Sequence, residues 1–140
     1  MNKPAGTAGL KYRKTAEAGE KLLESLGKML EEDGGIVFAY VHGSLVEKGF
    51  FRDVDVAVWI RNPGDAFKYE VNVSARLEVC LNIPIDLHVL NMAPLPFKHH
   101  VLTRGRLLFS RDEAERMRIV DETIRQYADL SLLRSLSGGA

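Results

Sequence analysis

The sequence predicts a small α/β (α+β) domain, with a mixed β-sheet of three to four strands and helices mainly on one face. Short apolar runs rich in β-branched and aromatic residues alternate with longer segments in which apolar residues recur at helical spacing. A chain of 140 residues has room for one hydrophobic core. Its content of 46% hydrophobic and 27% charged residues is typical of a globular protein.

The first half of the chain predicts one helix followed by two strands. Apolar residues recur at helical spacing between residues 15 and 33, at Leu22, Leu23, Leu26, Met29 and Leu30. Asp33-Gly34-Gly35 then ends the helix. Residues 36–41 and 54–60 are short apolar runs, which predict two buried strands.

The second half predicts alternating helices and strands. A turn at residues 62–65 precedes a helix at about residues 66–81, and a third strand follows at residues 85–90. A short helix over residues 97–103 leads to a marginal fourth strand at residues 106–109. Ser110 and Glu113 have the spacing of a capping box, which predicts the start of a last helix. We therefore expect a flexible segment at residues 1–14, a core domain at residues 15–110, and a C-terminal helix and tail at residues 111–140 that pack on the core or on a partner.

Composition and charge narrow the classes of function. Lys+Arg and Asp+Glu number 19 each, so there is no strong nucleic-acid signal, and the only early basic cluster is Lys11, Arg13 and Lys14. Cys80 is the only cysteine, which excludes an internal disulfide and disfavours a thiolate zinc site. We find no signal peptide and no apolar run of the ~20 residues needed to cross a bilayer, and expect a cytoplasmic protein without membrane association.

Three carboxylates are placed where a sheet would bring them together. Alternation puts Asp53 and Asp55 on one face of the second strand and its valines on the other. In the third strand the same alternation puts Asp86 opposite the apolar face. If these strands are neighbours, Asp86 lies beside the pair, and two such charges ~4 Å apart repel by roughly 4 kcal/mol at an effective dielectric of 20. A shared proton or a hard cation such as Mg²⁺ would relieve this repulsion, whereas an isolated Asp-x-Asp at an exposed strand end needs neither.

A Gly-Ser pair follows the first strand directly. Gly43 permits a sharp turn and a close approach of the backbone to a ligand. Ser44 could cap a short helix, whose free amides attract phosphate. Taken alone, such a pair is most often an ordinary turn.

The order of these features resembles the nucleotidyltransferase superfamily related to DNA polymerase beta. A strand, Gly43-Ser44, eight residues, Asp53-x-Asp55 and a third strand bearing Asp86 form the shared pattern. It is most similar to the minimal branch, the small MNT proteins found as antitoxins paired with HEPN toxins. The resemblance covers about residues 37–90, and residues 96–109 more loosely. It implies a nucleotidyltransferase-like sheet, phosphates held by Gly43 and Ser44, and a catalytic metal site of Asp53, Asp55 and Asp86.

The resemblance also implies an activity and its partners. The reaction would move an NMP, with AMP expected first, from ATP or another NTP to a hydroxyl on a partner protein, with a HEPN-type toxin as the expected partner. Mg²⁺ would be the metal, with Mn²⁺ as a substitute, and Asp86 could accept the proton of the acceptor. We expect only the terminal helices to lie outside the core domain, so the acceptor would arrive on a partner or the active unit would be a homo-oligomer. Apolar residues in the C-terminal helix offer a docking surface or pack on their own domain, namely Leu130, Leu132, Leu133 and Leu136.

Two departures from the family pattern keep a second reading open. The gap between Ser44 and Asp53 is short for the family, and many members carry an arginine just after Gly-Ser, where this chain has residues 45–48, Leu-Val-Glu-Lys. Lys48 and Arg52 are the candidates to balance triphosphate charge. The alternative is a catalytically weak or inactive module that neutralises a toxin by contact, and a third option is transfer to a small molecule or RNA. For His88 we expect a hydrogen-bonded, partly buried side chain rather than a ligand.

Overall fold

The computed structural model describes the backbone of residues 7–43 and 53–138, and the side chains of residues 17–43 and 53–138. Its helices are α1 (Thr7–Glu31), α2 (Ser74–Leu81), α3 (Leu95–Arg104) and α4 (Glu113–Gly138), and its strands are β1 (Ile36–His42), β2 (Val54–Ile60), β3 (Ile85–Val89) and β4 (Arg106–Ser110). A 3-10 turn at Pro63–Asp65 and a π-helical stretch at Lys68–Val73 lead into α2. The α+β class predicted from the sequence is confirmed.

The four strands form one mixed sheet in the order β3-β2-β1-β4. β1 pairs antiparallel with β2 and with β4, whereas β2 and β3 are parallel. The parallel pair requires a crossover, and the helical segment between residues 63 and 81 supplies it. The fourth strand, which the sequence marks only weakly, is therefore a full member of the sheet.

Helices cover both faces of this sheet. On one face, α1 and α2 pack over the valines of β2 and the apolar residues of β3, with Leu26 and Leu30 fully buried. On the other face, α3 and α4 cover Phe38 and Tyr40, and the Phe38 ring stacks on Trp59 with centroids 6.0 Å apart. The prediction of helices mainly on one face is thus corrected. The second layer was missed because the residues of β1 are apolar on both faces, so its sequence shows no alternation that would separate them.

Two helix starts differ from the positions that the sequence predicts. α1 begins at Thr7, earlier than its apolar periodicity indicates. α4 begins at Glu113, and Asp112 caps it by accepting a hydrogen bond from the Glu115 amide at 3.0 Å. Ser110 remains the last residue of β4 and is not the cap. Within the part of the chain that the structure describes, we find no helix with the length and apolar content to cross a membrane.

The outer side of β3 is hydrogen-bonded by side chains of the preceding helical segment. The Ser74 hydroxyl donates to the carbonyl oxygen of Ile85 at 2.7 Å, and the Ile85 amide donates to Glu78 Oε1 at 2.9 Å. Further along the strand, the Val89 amide donates to Glu70 Oε2 at 3.1 Å. Three of the backbone groups of β3 that face away from β2 are thereby satisfied.

The Asp33 carboxylate links the end of α1 to the helical crossover between β2 and β3. Asp33 Oδ1 accepts hydrogen bonds from the Gly35 amide at 2.9 Å and from the Tyr69 hydroxyl at 2.9 Å. An added Cβ at Gly35 would overlap the Tyr69 hydroxyl, so a larger residue here would displace that hydroxyl. Burial, followed by the hydrogen bond to Asp33, raises the pKa of Tyr69 to about 12.

This contact predicts a loss of stability at alkaline pH. The pKa of Tyr69 is 10.0 in the unfolded chain and about 12 in the folded one, so the stabilisation is fully present below pH 10 and is lost between about pH 10 and 12. The loss should reach about 3 kcal/mol, since the pKa differs by two units and each unit is worth about 1.4 kcal/mol. Urea unfolding of the wild type and of Tyr69→Phe across this range measures it. The variant should lack this part of the pH dependence, and parallel curves would contradict the assignment.

Candidate active site

His42, Asp55 and Asp86 form a row across three neighbouring strands. His42 of β1 pairs with Asp55 of β2, and Asp55 pairs in turn with Asp86 of β3. Neighbouring strands lie about 4.8 Å apart, so the row brings the two carboxylate-bearing residues close together. The expectation that β2 and β3 are neighbours with matched apolar faces is confirmed. Asp53 lies at the bend just before β2, close enough for its charge to act on the Asp55 carboxyl.

The three carboxylates differ in their surroundings. Asp55 is half-buried, whereas Asp53 and Asp86 are exposed. Burial raises the pKa of the Asp55 carboxyl, the negative charges of Asp53 and Asp86 raise it further, and His88 acts in the opposite direction. Its surroundings therefore disfavour the ionised form of Asp55, as the sequence predicts for neighbouring carboxylates.

Gly43 lies against the Asp55 carboxylate. Its φ is +79°, in the left-handed region that favours glycine. A Cβ at this position would overlap Asp55 Oδ2, so the carboxylate occupies the space that any other residue would fill. Three further predicted site residues, Ser44, Lys48 and Arg52, lie outside the described residues.

Asp86 is hydrogen-bonded to a histidine on the same face of β3. His88 Nε2 lies 3.1 Å from Asp86 Oδ2, and the other ring nitrogen, Nδ1, lies 4.0 Å from Glu70 Oε2. His88 is half-buried and hydrogen-bonded, as the sequence analysis expects. In the structure the Asp86 carboxylate is therefore oriented along the strand by His88.

His42 is a residue of this site to which sequence reasoning assigned no role. Its side chain is 9% exposed, and among the described residues its Nε2 atom has no hydrogen-bond partner. Its ring packs edge-on against Phe97, with centroids 5.5 Å apart. Burial, followed by the charges of His88 and His100, lowers the pKa of His42 to about 4. The ring is therefore neutral at neutral pH and adds no positive charge beside the carboxylates.

The donor set fits a hard divalent cation, although the described side chains do not converge on one point. Carboxylate oxygens are preferred ligands of Mg²⁺ and Mn²⁺. The raised pKa of Asp55 marks a position where a cation would relieve repulsion. Among the residues that the structure describes, no three His, Cys, Asp or Glu side chains are close enough to hold an ion. Asp86 bonds to His88 instead, and 61% of its side chain is exposed, which leaves it free to rotate towards Asp55.

Comparison with known proteins identifies the family. The profile described as "Polymerase beta, Nucleotidyltransferase" matches residues 24–114, well over half of the chain. A comparison with curated proteins finds no match.

Several solved structures share the fold. A chain of the toxin–antitoxin complex MntA–HepT is 20% identical with a TM-score of 0.67, covering 84% of this chain and 93% of that one. A chain of a tri-AMPylated Shewanella oneidensis HEPN toxin in complex with MNT antitoxin is 21% identical with a TM-score of 0.69, covering 84% and 93%. A chain of a toxin–antitoxin complex with AMP-PNP is 22% identical with a TM-score of 0.65, covering 86% and 93%. By the extent of the profile match, the chain described here belongs to the polymerase beta nucleotidyltransferase family.

Proposed function

We propose that this chain transfers an NMP, with AMP the first candidate, from a Mg²⁺-bound NTP to a hydroxyl on a HEPN-type toxin, and so acts as a cytoplasmic antitoxin. The observation that carries the proposal is the Asp55–Asp86 pair beside Gly43, which lies within the region matched by the family profile. Similar folds in complexes of MNT antitoxin with AMPylated HEPN toxin support the choice of partner and of nucleotide.

Each residue of the site has a part in this reaction. Asp53, Asp55 and Asp86 would hold Mg²⁺, or Mn²⁺ in its place, and the bound ion would supply positive charge against the triphosphate. Gly43 would let the backbone approach the phosphates closely. Ser44, Lys48 and Arg52 would also contact the phosphates. The acceptor oxygen bonds to the α-phosphorus as the bond from that phosphorus to the bridging oxygen breaks. Pyrophosphate leaves with the electron pair, and the hydroxyl proton passes to Asp86.

A second candidate function is neutralisation of a toxin by contact alone. The absence of three converging ligands among the described residues favours it, as does the hydrogen bond that turns Asp86 towards His88. This reading needs the same fold and the same partner but no nucleotide. Nucleotide binding therefore separates the two functions.

The proposal predicts ATP binding that depends on Mg²⁺ and on the carboxylates. Calorimetric titration of the wild type with ATP should give heat only when Mg²⁺ is present. Asp53→Asn should lose at least about tenfold in affinity, or about 1.4 kcal/mol, because a metal ligand is removed. Asp129→Asn, an exposed change on α4 far from the site in sequence, is the matched control and should bind as the wild type does.

The titrations should be repeated with a HEPN-type toxin present, in case the partner completes the pocket. Binding that is absent both alone and with the toxin would overturn the transferase proposal and leave the contact function.

A further inference from the structure

His88 and Asp86 form a hydrogen-bonded pair to which the proposed reaction gives no part. They are two residues apart on one face of β3, where such residues are separated by about 7 Å along the strand. His88 Nε2 lies 3.1 Å from Asp86 Oδ2. A carboxylate only accepts hydrogen bonds, so the Nε2 atom carries the proton in this contact. The Asp86 side chain is therefore directed along β3 rather than across the sheet towards Asp55.

The two partners of this bond differ in how firmly they are held. The His88 ring packs edge-on against Phe97, with centroids 5.4 Å apart, and its Nδ1 atom lies 4.0 Å from Glu70 Oε2. Glu70 is held in turn by the hydrogen bond that it accepts from the Val89 amide at 3.1 Å. Asp86 is exposed, and within the described part of the chain its carboxylate makes no other hydrogen bond. The histidine is therefore the fixed partner and the carboxylate the movable one.

This bond competes with the use of Asp86 as a metal ligand. Asp55 and Asp86 are paired across neighbouring strands, about 4.8 Å apart, so an ion that both carboxylates bind lies across the sheet from β3. With Asp86 bonded to His88, no three potential ligands converge among the residues that the structure describes. The hydrogen bond and the complete set of ligands are thus alternative arrangements of the same carboxylate.

We propose that His88 is a positioning residue that holds Asp86 away from the metal site until a divalent cation competes for the carboxylate. The inference rests on the proposed transferase function, because it concerns the same carboxylates. Binding of Mg²⁺ by Asp53, Asp55 and Asp86 then requires that the hydrogen bond be broken. His88 therefore lowers the affinity of the site for the ion, and the ligand set assembles only as the ion arrives.

Removal of the donor at residue 88 tests this inference through an affinity rather than through activity. Calorimetric titration of the full chain with AMP-PNP, with Mg²⁺ in excess, gives the affinity of the loaded site. His88→Phe keeps a ring that packs on Phe97 but cannot donate to Asp86. Because no bond has to be broken, this variant should bind at least about threefold more tightly than the wild type.

Two further variants separate the hydrogen bond from other effects of the substitution. The side-chain amide of His88→Gln can donate to Asp86 from nearly the position of Nε2, so this variant should bind as the wild type does. In an Asp86→Ala background the movable carboxylate is gone. His88→Phe should then leave the affinity unchanged, since the two residues interact only through the bond.

Imidazole ¹⁵N NMR reports the bond itself. In the metal-free wild type, the Nε2 signal of His88 should differ from that of Asp86→Ala, in which the nitrogen has lost its acceptor. On saturation with Mg²⁺ and AMP-PNP, the wild-type signal should move to the position that it has in loaded Asp86→Ala. A wild-type signal that stays apart from that position would mean that Asp86 remains bonded to His88 in the loaded site, and would overturn the inference.

The other outcomes of the titrations can be told apart. Weaker binding by His88→Phe would show that His88 supports Asp86 as a ligand, and equal binding would show that the bond does not oppose the ion. An effect that persists in Asp86→Ala would belong to the ring at residue 88 and not to the bond. Each of these overturns the inference and leaves the proposed function in place. If none of the proteins binds AMP-PNP with Mg²⁺, the proposed function fails and the inference fails with it.

Discussion

Replacement of Asp55 by asparagine is expected to lower nucleotidyl transfer by at least about 10³-fold, because loss of a metal ligand removes about 4 kcal/mol of charge stabilisation. The same change should leave the domain as stable as the wild type or more stable. Asp55 is half-buried, and its ionised form is disfavoured by burial and by the charges of Asp53 and Asp86. The neutral amide avoids these costs, so function and stability should move in opposite directions.

Thermal unfolding with and without Mg²⁺, together with release of pyrophosphate, measures both effects. The wild type should gain stability on addition of Mg²⁺, since an ion that binds the folded state stabilises it. Asp55→Asn should show no such gain, and Asp129→Asn should behave as the wild type does. Undiminished transfer by Asp55→Asn would exclude a catalytic role for this carboxylate.

Gly43→Ala should reduce transfer as severely as Asp55→Asn, and unlike that change it should destabilise the fold. Alanine pays about 1–2 kcal/mol for the left-handed backbone that Gly43 adopts with φ +79°. Its methyl group would also overlap Asp55 Oδ2 and displace the carboxylate. Urea unfolding and the pyrophosphate assay report the two losses separately.

Gly43→Ala should destabilise the fold through backbone strain and through overlap with Asp55. A second glycine and a double mutant separate these two contributions. Gly34→Ala is the matched control, because a Cβ there meets nothing within 4 Å. In an Asp55→Ala background the overlap disappears, so Gly43→Ala should cost only the backbone strain. Equal stability costs for Gly43→Ala in both backgrounds would show that the glycine serves the turn alone and not the placement of Asp55.

The carboxylate cluster could be predicted from the sequence because its signal is local. Alternation in β2 and β3 separates aspartates from apolar residues, and matching the apolar faces brings Asp86 beside Asp55, as the structure shows. The ends of the helices could not be predicted so well. Ser110 and Asp112 are both good caps, and the choice between them depends on how far β4 continues. The metal and catalytic roles of Asp53, Asp55 and Asp86 stay predictions.

The remaining features depend on contacts between distant segments. Residues between 66 and 97 line a cavity of about 470 Å³ beside β3, and no spacing in the sequence indicates that Glu70 and Phe97 face a common space. β1 carries no polar face, so the second helical layer over Phe38 gives no periodic signal. His42 could have been noticed, since it ends an apolar strand directly before Gly43, but the lack of a partner for Nε2 is visible only in three dimensions.

The hydrogen bonds along β3 have a consequence for assembly. An exposed edge strand can recruit a strand from another molecule, in dimers as in amyloid. Here Ser74, Glu78 and Glu70 already engage the backbone groups of Ile85 and Val89 that such a strand would need. A second chain would have to displace three side-chain bonds to continue the sheet at this edge. Addition of a strand along β3 is therefore disfavoured, and the helical crossover that supplies these three side chains also protects the edge of the sheet.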